Sequence, residues 1–372
     1  MRPVSMAVAK AAHEKEYLIN YPQALISLTD FERDFAGQRI FTRSLLEQAA
    51  SDVDQARRDE DTPIVVEGVR GDFYEIWPYG GVSSYGAHLA WKKYSDFALA
   101  QPTAYLIVPN LNIGSVTQTD TLGPGENAAW SRAKRTREPR EMGRIRQMEQ
   151  EWLASAQWAQ MKKSLAALAG KAQVKNIVCI AMGPMFSFDY SKTNGTGDTF
   201  CRERAHQHLL AGCIARFLRS QYAAKDPNAP AIDVYAYDPD YTPKDMVAFE
   251  HFPLPITMLS DPHHYLAITP HTLVISASCP AFVPNHEIIA DLLYPSGPAA
   301  ILSNEVWAHP WHKEEKVALL DVWTPRVGKM MEMYEQEDME RLGWDDIELG
   351  YGDTKHPWAW LNPMVLYSRD DA

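Results

Sequence analysis

At 372 residues the chain has ample length for a core, in one large domain or two modest ones, and its 46% apolar and 23% charged residues are ordinary for a soluble globular protein. A net charge of −12 argues against a general nucleic-acid coat protein. No run approaches 18 apolar residues, and the start MRPVSMAVAKAAHEKEY has no long apolar stretch, so neither a membrane span nor secretion is expected.

The first hundred residues read as folded. Leu45, Leu46, Ala49, Ala50 and Val53 form an amphipathic helix stripe, Ile64 to Val69 and Tyr105 to Val108 read as strands, and DFYEIWPYGG as a strand ending in a turn. Residues 109–131 are a long loop rich in Gly, Pro, Asn, Thr and Ser. A basic strip follows: residues 131–146 hold seven basic side chains against Glu138 and Glu141. Such a strip on an acidic body can guide a phosphate backbone, and its plain alternative is a solvated loop. A helix then runs to about Ala169, with Trp158, Met161, Leu165 and Leu168 on one face.

The run Val174 to Ala181 is apolar, β-branched and too short for a helix, so it reads as a buried parallel strand. Gly183-Pro184 stops it, and a helix from about Phe200 to Ser220 buries Leu209, Leu210, Cys213, Ile214, Phe217 and Leu218. Ala231 to Tyr237 is a second strand, closed by Asp238-Pro239, and Thr242-Pro243 caps a short helix. Ile256 to Leu259 reads as an edge strand and Thr272 to Ser276 as another strand, closed by Cys279-Pro280. A helix around Ile288, Ile289, Leu292 and Leu293 leads to the strand Ala299 to Leu302 and then Ser303-Asn304-Glu305. Strands alternating with helices at this spacing predict a Rossmann-like, mostly parallel sheet with helices on both faces. We expect an N-terminal α+β extension over 1–130 packed on that core, the core over 131–330, and an acidic C-terminal segment over 331–372, in which nine acidic residues between 332 and 353 face the single Arg341. The four cysteines form no C-x-x-C pair and two fall in predicted buried strands, which suits a reduced, cytoplasmic protein.

In a doubly wound sheet, ligands sit beyond the carboxyl ends of the strands. The residues there are Gly183, Ser187, Asp238, Asp240, Tyr241, Cys279, Asn304 and Glu305. Gly183 lets a ligand approach the backbone or simply shapes a turn. Ser187 is placed to accept an acyl group, although no G-x-S-x-G elbow surrounds it. Asp238 before Pro239 is an Asx-turn residue, or with Asp240, Tyr241 and Glu305 part of an acidic pocket for a guanidinium. Neither G-x-G-x-x-G nor G-x-x-x-x-G-K-[ST] occurs, so no nucleotide cofactor is expected. His263-His264 and His309-x-x-His312 lack an obvious acidic or thiol partner, so no metal is expected either. Trp307, Trp311, Trp323, Trp358 and Trp360 read as packing residues.

VKNIVCIAMGPM, then Gln207-His208-Leu209-Leu210-Ala211, then VYAYDPDYT, resemble the sensitivity-to-red-light-reduced-like domain family over about residues 150–310. TLVISASCP is similar to that family's strand ending in Pro-His-Cys, but Ala277-Ser278 stand where the Pro-His pair would precede Cys279. Ala300 to Asn304 resembles its closing strand. This resemblance implies a regulatory protein, linked to light, clock and haem-related control, that binds a partner or small ligand.

The whole chain is also similar to fungal arginine-containing cyclodipeptide synthases, which condense aminoacyl groups delivered on tRNA in secondary metabolism. That second resemblance implies the leading functional expectation, aminoacyl-tRNA-dependent synthesis of an arginine-containing cyclic dipeptide. Ser187 would accept the first aminoacyl group and Tyr241 would assist proton transfer. Gly183, Asp238, Asp240, Asn304 and Glu305 would hold substrate, and Arg132, Lys134, Arg135, Arg137 and Arg140 would steer tRNA. No cofactor, DNA or membrane partner is implied. An Asp-Asp-x-x-Glu motif is expected of such enzymes, and Asp345-Asp346-Ile347-Glu348 is one residue shorter.

Overall fold

Four β-branched or apolar runs and a short exposed edge strand, Thr257–Met258, line up as one parallel array. The computed structural model describes residues 25–34, 38–58, 63–68, 72–76, 88–92, 105–108, 141–188, 198–277, 279–280, 283–307, 309–318, 322–342 and 356–369. Its central sheet contains β1 (Asn176–Ile180), β2 (Asp233–Tyr237), β3 (Thr257–Met258), β4 (Thr272–Ser276), β5 (Ala300–Asn304), β6 (Tyr334–Asp338) and β7 (Met364–Arg369). The spatial order is β3-β2-β1-β4-β5-β7-β6. The first five strands are mutually parallel, whereas β7 runs antiparallel to both β5 and β6. The order reverses between β1 and β4, which defines the switch point of a doubly wound α/β fold.

Alternation along each strand sends side chains to two cores. Ile177 and Cys179 of β1, Val234 and Ala236 of β2, and Leu273 and Ile275 of β4 pack on one face. That face is covered by α2 (Met142–Ala154), α3 (Ala156–Lys171), α4 (Arg202–Ala223) and α5 (Pro243–Glu250). Val178, Ile180, Val274 and Ile301 pack on the other, under α1 (Arg43–Arg58), α6 (His263–Leu266), α7 (Asn285–Leu293) and α8 (Pro325–Met331). Helices therefore cover both faces, as the alternating pattern predicts. Burial pushes the Cys179 thiol up to about 12, and all four cysteines are free thiols.

The N-terminal stripe behaves as read. Leu46, Ala49, Val53 and Ala56 of α1 are buried against the second face, together with Ile64 and Val66 of a hairpin formed by Ile64–Glu67 and Phe73–Ile76. Tyr105–Val108 pairs antiparallel with His88–Trp91, a strand that the pattern did not show. The N-terminal elements dock through Asp291 of α7. Its carboxylate accepts from the backbone N–H groups of Ile40 (2.8 Å) and Phe41 (3.1 Å) and from Arg326 (2.7 Å).

Three elements differ from expectation. The helix expected to run unbroken to Ala169 is two, because Ser155 ends α2 by donating to the Trp152 carbonyl and caps α3 by accepting from Trp158 N–H. A small hairpin, Phe186–Phe188 with Asp198–Phe200, separates β1 from α4. The segment from 331 onward, expected as an acidic tail, supplies β6 and β7. Glu335 pairs with Lys171, and Glu337 accepts from Ser164 at 2.7 Å. Trp311, Trp358 and Trp360 are buried, and His309 and His312 stack on Trp311 and Trp323. The 109–131 loop, the basic residues Arg132 to Arg140, Ser278, and the Asp345-Asp346-Ile347-Glu348 segment lie outside the described residues.

Candidate functional site

The chain leaves β1 through two left-handed residues, Ala181 (φ 56°) and Gly183 (φ 69°). Glycine enters that region freely, but alanine does so at a cost of about 1–2 kcal/mol, so Ala181 is strained at the strand tip. The turn is held by two carboxylates from the β2 side. Asp238 accepts from Gly183 N–H (2.8 Å) and from Asp240 N–H (2.9 Å). Buried Asp245 accepts from Met185 N–H (2.7 Å) and Phe186 N–H (3.2 Å) with one oxygen, and from the Thr242 N–H (2.8 Å) and hydroxyl (2.6 Å) with the other. The Thr242 N–H bond, with the Asp245 N–H donating back to the Thr242 hydroxyl at 3.2 Å, closes a capping box at the start of α5. Burial pushes the Asp245 carboxyl up to about 6 although its four hydrogen bonds pull it down.

Arg204, in the first turn of α4, lies across the glycine. A Cβ on Gly183 would sit 2.7 Å from Arg204 Nε, and the guanidinium donates to the Pro184 carbonyl at 3.2 Å. Gly183→Ala is therefore expected to cost about 1–2 kcal/mol in urea denaturation from backbone strain alone. Displacing Arg204 adds to that cost, so the loss should be smaller in an Arg204→Ala background.

Tyr241 leaves β2 and packs against His208 and Phe249. The Nδ1 atom of His208 is 2.7 Å from the Arg204 carbonyl, which can only accept, so Nδ1 carries the proton. Nε2 is then the acceptor for the Tyr241 hydroxyl at 2.6 Å. Burial lowers His208 to about 4 and raises Tyr241 well above its ordinary value, so the pair is neutral. Asp238 and Tyr241 sit at the β2 end, whereas Asn304 and Glu305 sit at the β5 end. β1 and β4 lie between, and three strand spacings amount to about 14 Å. The geometry brings Gly183, Asp238, Asp240 and Tyr241 together and leaves Asn304 and Glu305 apart from them. Ser187 belongs to the separate hairpin, in register with Thr199.

A second set of residues lies along the strand ends on the other face of the sheet, spanning the switch point. The last register line across four strands is Tyr237–Ile180–Ser276–Ser303. Ile180 packs into the second core, and in-register neighbours point the same way, so polar side chains from three strands flank it on this final line. The Tyr237 ring stacks on His264 of α6, with centroids 4.0 Å apart and planes 12° from parallel. His264 is buried, its Nδ1 lies 3.8 Å from Asp261 Oδ1, and burial lowers it to about 3, so it is neutral. Tyr265 packs on His264, and burial raises its hydroxyl well above the ordinary value. Asn285 opens α7, which begins at this rim because it follows β4.

Two of these residues have no hydrogen-bond partner among the described residues, at Ser276 Oγ and at both Nδ2 and Oδ1 of Asn285, whereas the His264 ring has the Ser260 backbone beside it. Ser276 and Asn285 are 3% and 2% exposed, so solvent does not satisfy them. Natural proteins hold few such groups, since each costs about 1–3 kcal/mol. Sequence reasoning passed over Ser276 and Asn285 as site residues and weighed His264 only as a metal ligand. The available signal was Ser276, a serine where the inward alternation of TLVIS calls for an aliphatic residue.

Fold and rim together define a doubly wound α/β protein with buried polar side chains at the switch-point end of its sheet and no dinucleotide fingerprint. Residues 159–346 match the model of the SRR1 domain (sensitivity to red light reduced), and the chain belongs to the SRR1 domain family. The match runs through β6, past the closing strand at which the motif resemblance ended. No curated protein matches the chain. Cyclodipeptide synthesis, the leading expectation, thus has no relative behind it, and the arginines assigned to tRNA lie outside the described residues. No helix among the described residues is long and apolar enough to cross a membrane.

Proposed function

We propose that this chain is a regulatory, non-catalytic member of the SRR1 family that binds a small ligand in the crevice between the ends of β1 and β4. The observation that carries this reading is the pair of buried, unpartnered polar side chains Ser276 and Asn285 beside the strand ends. Three further features support it: the Tyr237–His264 stack, the strained Ala181, and the neutral state of the Tyr241–His208 pair, which supplies no activated nucleophile.

A ligand-binding role and a packing role predict opposite stability effects. Unpartnered buried polar groups kept for a ligand are destabilising without it, so their apolar replacement is neutral or favourable. Asn285→Leu is expected to raise the Tm of the ligand-free protein by a few degrees and to abolish retention of any small molecule seen by native mass spectrometry. A lowered Tm would show that Asn285 serves packing and would remove the proposal.

A further inference from the structure

Resting on the reading just given, the chemistry of the crevice narrows what it can hold. In a dinucleotide-binding protein the glycine turn after the first strand presents its N–H groups to a pyrophosphate, and the glycine lets the phosphates approach. Here those positions are filled from within. Gly183 N–H is engaged by Asp238, and Met185 and Phe186 N–H by Asp245, so two internal carboxylates occupy the anion-binding donors. The space over the glycine is taken by Arg204, whose guanidinium turns inward to the Pro184 carbonyl. A phosphate arriving at this turn would meet two carboxylates against the single Arg204 guanidinium, and no unengaged N–H among these three.

On the opposite face the unpartnered groups have a different character. The Asn285 amide presents one donor and one acceptor side by side, which pairs with an adjacent acceptor and donor on a planar ring edge, as an asparagine pairs with adenine. Ser276 adds a hydroxyl able to act either way, and neutral His264, with the Ser260 backbone beside its ring, adds one further ring nitrogen. Tyr237 and His264 form an aromatic wall beside them. None of these side chains carries a positive charge.

We infer that the switch-point crevice takes a planar, uncharged nitrogen heterocycle with neighbouring in-plane donor and acceptor atoms, the chemistry of a free nucleobase, and refuses its phosphorylated nucleotide. The fold of a dinucleotide-binding protein is thereby turned to a ligand without phosphate.

Isothermal titration of the full chain with adenine, hypoxanthine, cytosine and uracil, and with adenosine 5′-monophosphate, tests this. At least one free base should bind, Asn285→Leu should weaken it tenfold or more, and the monophosphate should bind at least tenfold more weakly than adenine or not at all. A monophosphate that binds as tightly as the free base overturns the inference, as does unchanged affinity in Asn285→Leu or the absence of binding by all four bases. The thermal shift of Asn285→Leu separates the two levels of the argument. A raised Tm with no base bound removes only the ligand class, whereas a lowered Tm removes the crevice as a binding site.

Discussion

Asp291→Ala should destabilise the protein by about 3–5 kcal/mol, read as a shift in the denaturant midpoint. The carboxylate is fully buried on α7 and holds three groups at once: the Ile40 and Phe41 amides on one oxygen and the Arg326 guanidinium on the other. Removing it takes a carboxylate partner from a nearly buried arginine and from two backbone donors, and losing the counter-charge is the costliest of these. The loss should also be directional. Residues 38–58 are tied to the core through this carboxylate, so limited proteolysis of Asp291→Ala should cut ahead of α1 before it cuts the sheet. The double variant Asp291→Leu with Arg326→Met removes charge and counter-charge together and should recover part of the loss. If the single variant melts with the wild type, the N-terminal elements are held by their apolar face alone.

Asp245→Ala is expected to cost a comparable amount, about 3–5 kcal/mol, through a different route. No cation is involved. Its carboxylate receives the N–H groups of Met185, Phe186 and Thr242, and removing it leaves these donors unsatisfied in a buried turn, at about 1–3 kcal/mol each before relaxation. Thr242→Val, which removes only the hydroxyl half of the capping box, should lose about 1 kcal/mol. The ratio between the two is the diagnostic quantity. Equal losses would mean that Asp245 acts only as a helix cap and that the β1 turn holds its shape without it. The anion-excluding character proposed for that turn would then need another source.

Buried carboxylates of this kind are invisible to sequence patterning. Asp245 reads as an ordinary acid in the first turn of a capped helix, and Asp291 as a polar interruption in the stripe Ile288, Ile289, Leu292. Each owes its role to partners 60 and 251 positions away. Asp238 was legible as a turn residue, and its Asp240 hydrogen bond is the local Asx turn that Asp-Pro suggests. Its second bond, to Gly183, needed the register of β1 against β2. β6 was missed because YEQED lies at the sheet edge and carries no apolar alternation. β7, MVLYSR, is apolar enough for a strand. Its partners lie 64 positions back in β5 and about 30 back in β6, so nothing local announced the pairing.

The chain by itself determined which segments are strands buried on both faces, which helices present one apolar side, and that they alternate, because hydrophobic periodicity is a local consequence of burial. It also determined the SRR1-like motif order. Strand order, and with it the position of the switch point, came only from the tertiary structure. The same holds for the two carboxylates that close the glycine turn and for the polar line Tyr237–Ser276–Ser303 beside His264 and Asn285. These depend on contacts between residues far apart in the chain, and the free energy of such contacts leaves no periodic trace in either partner's neighbourhood.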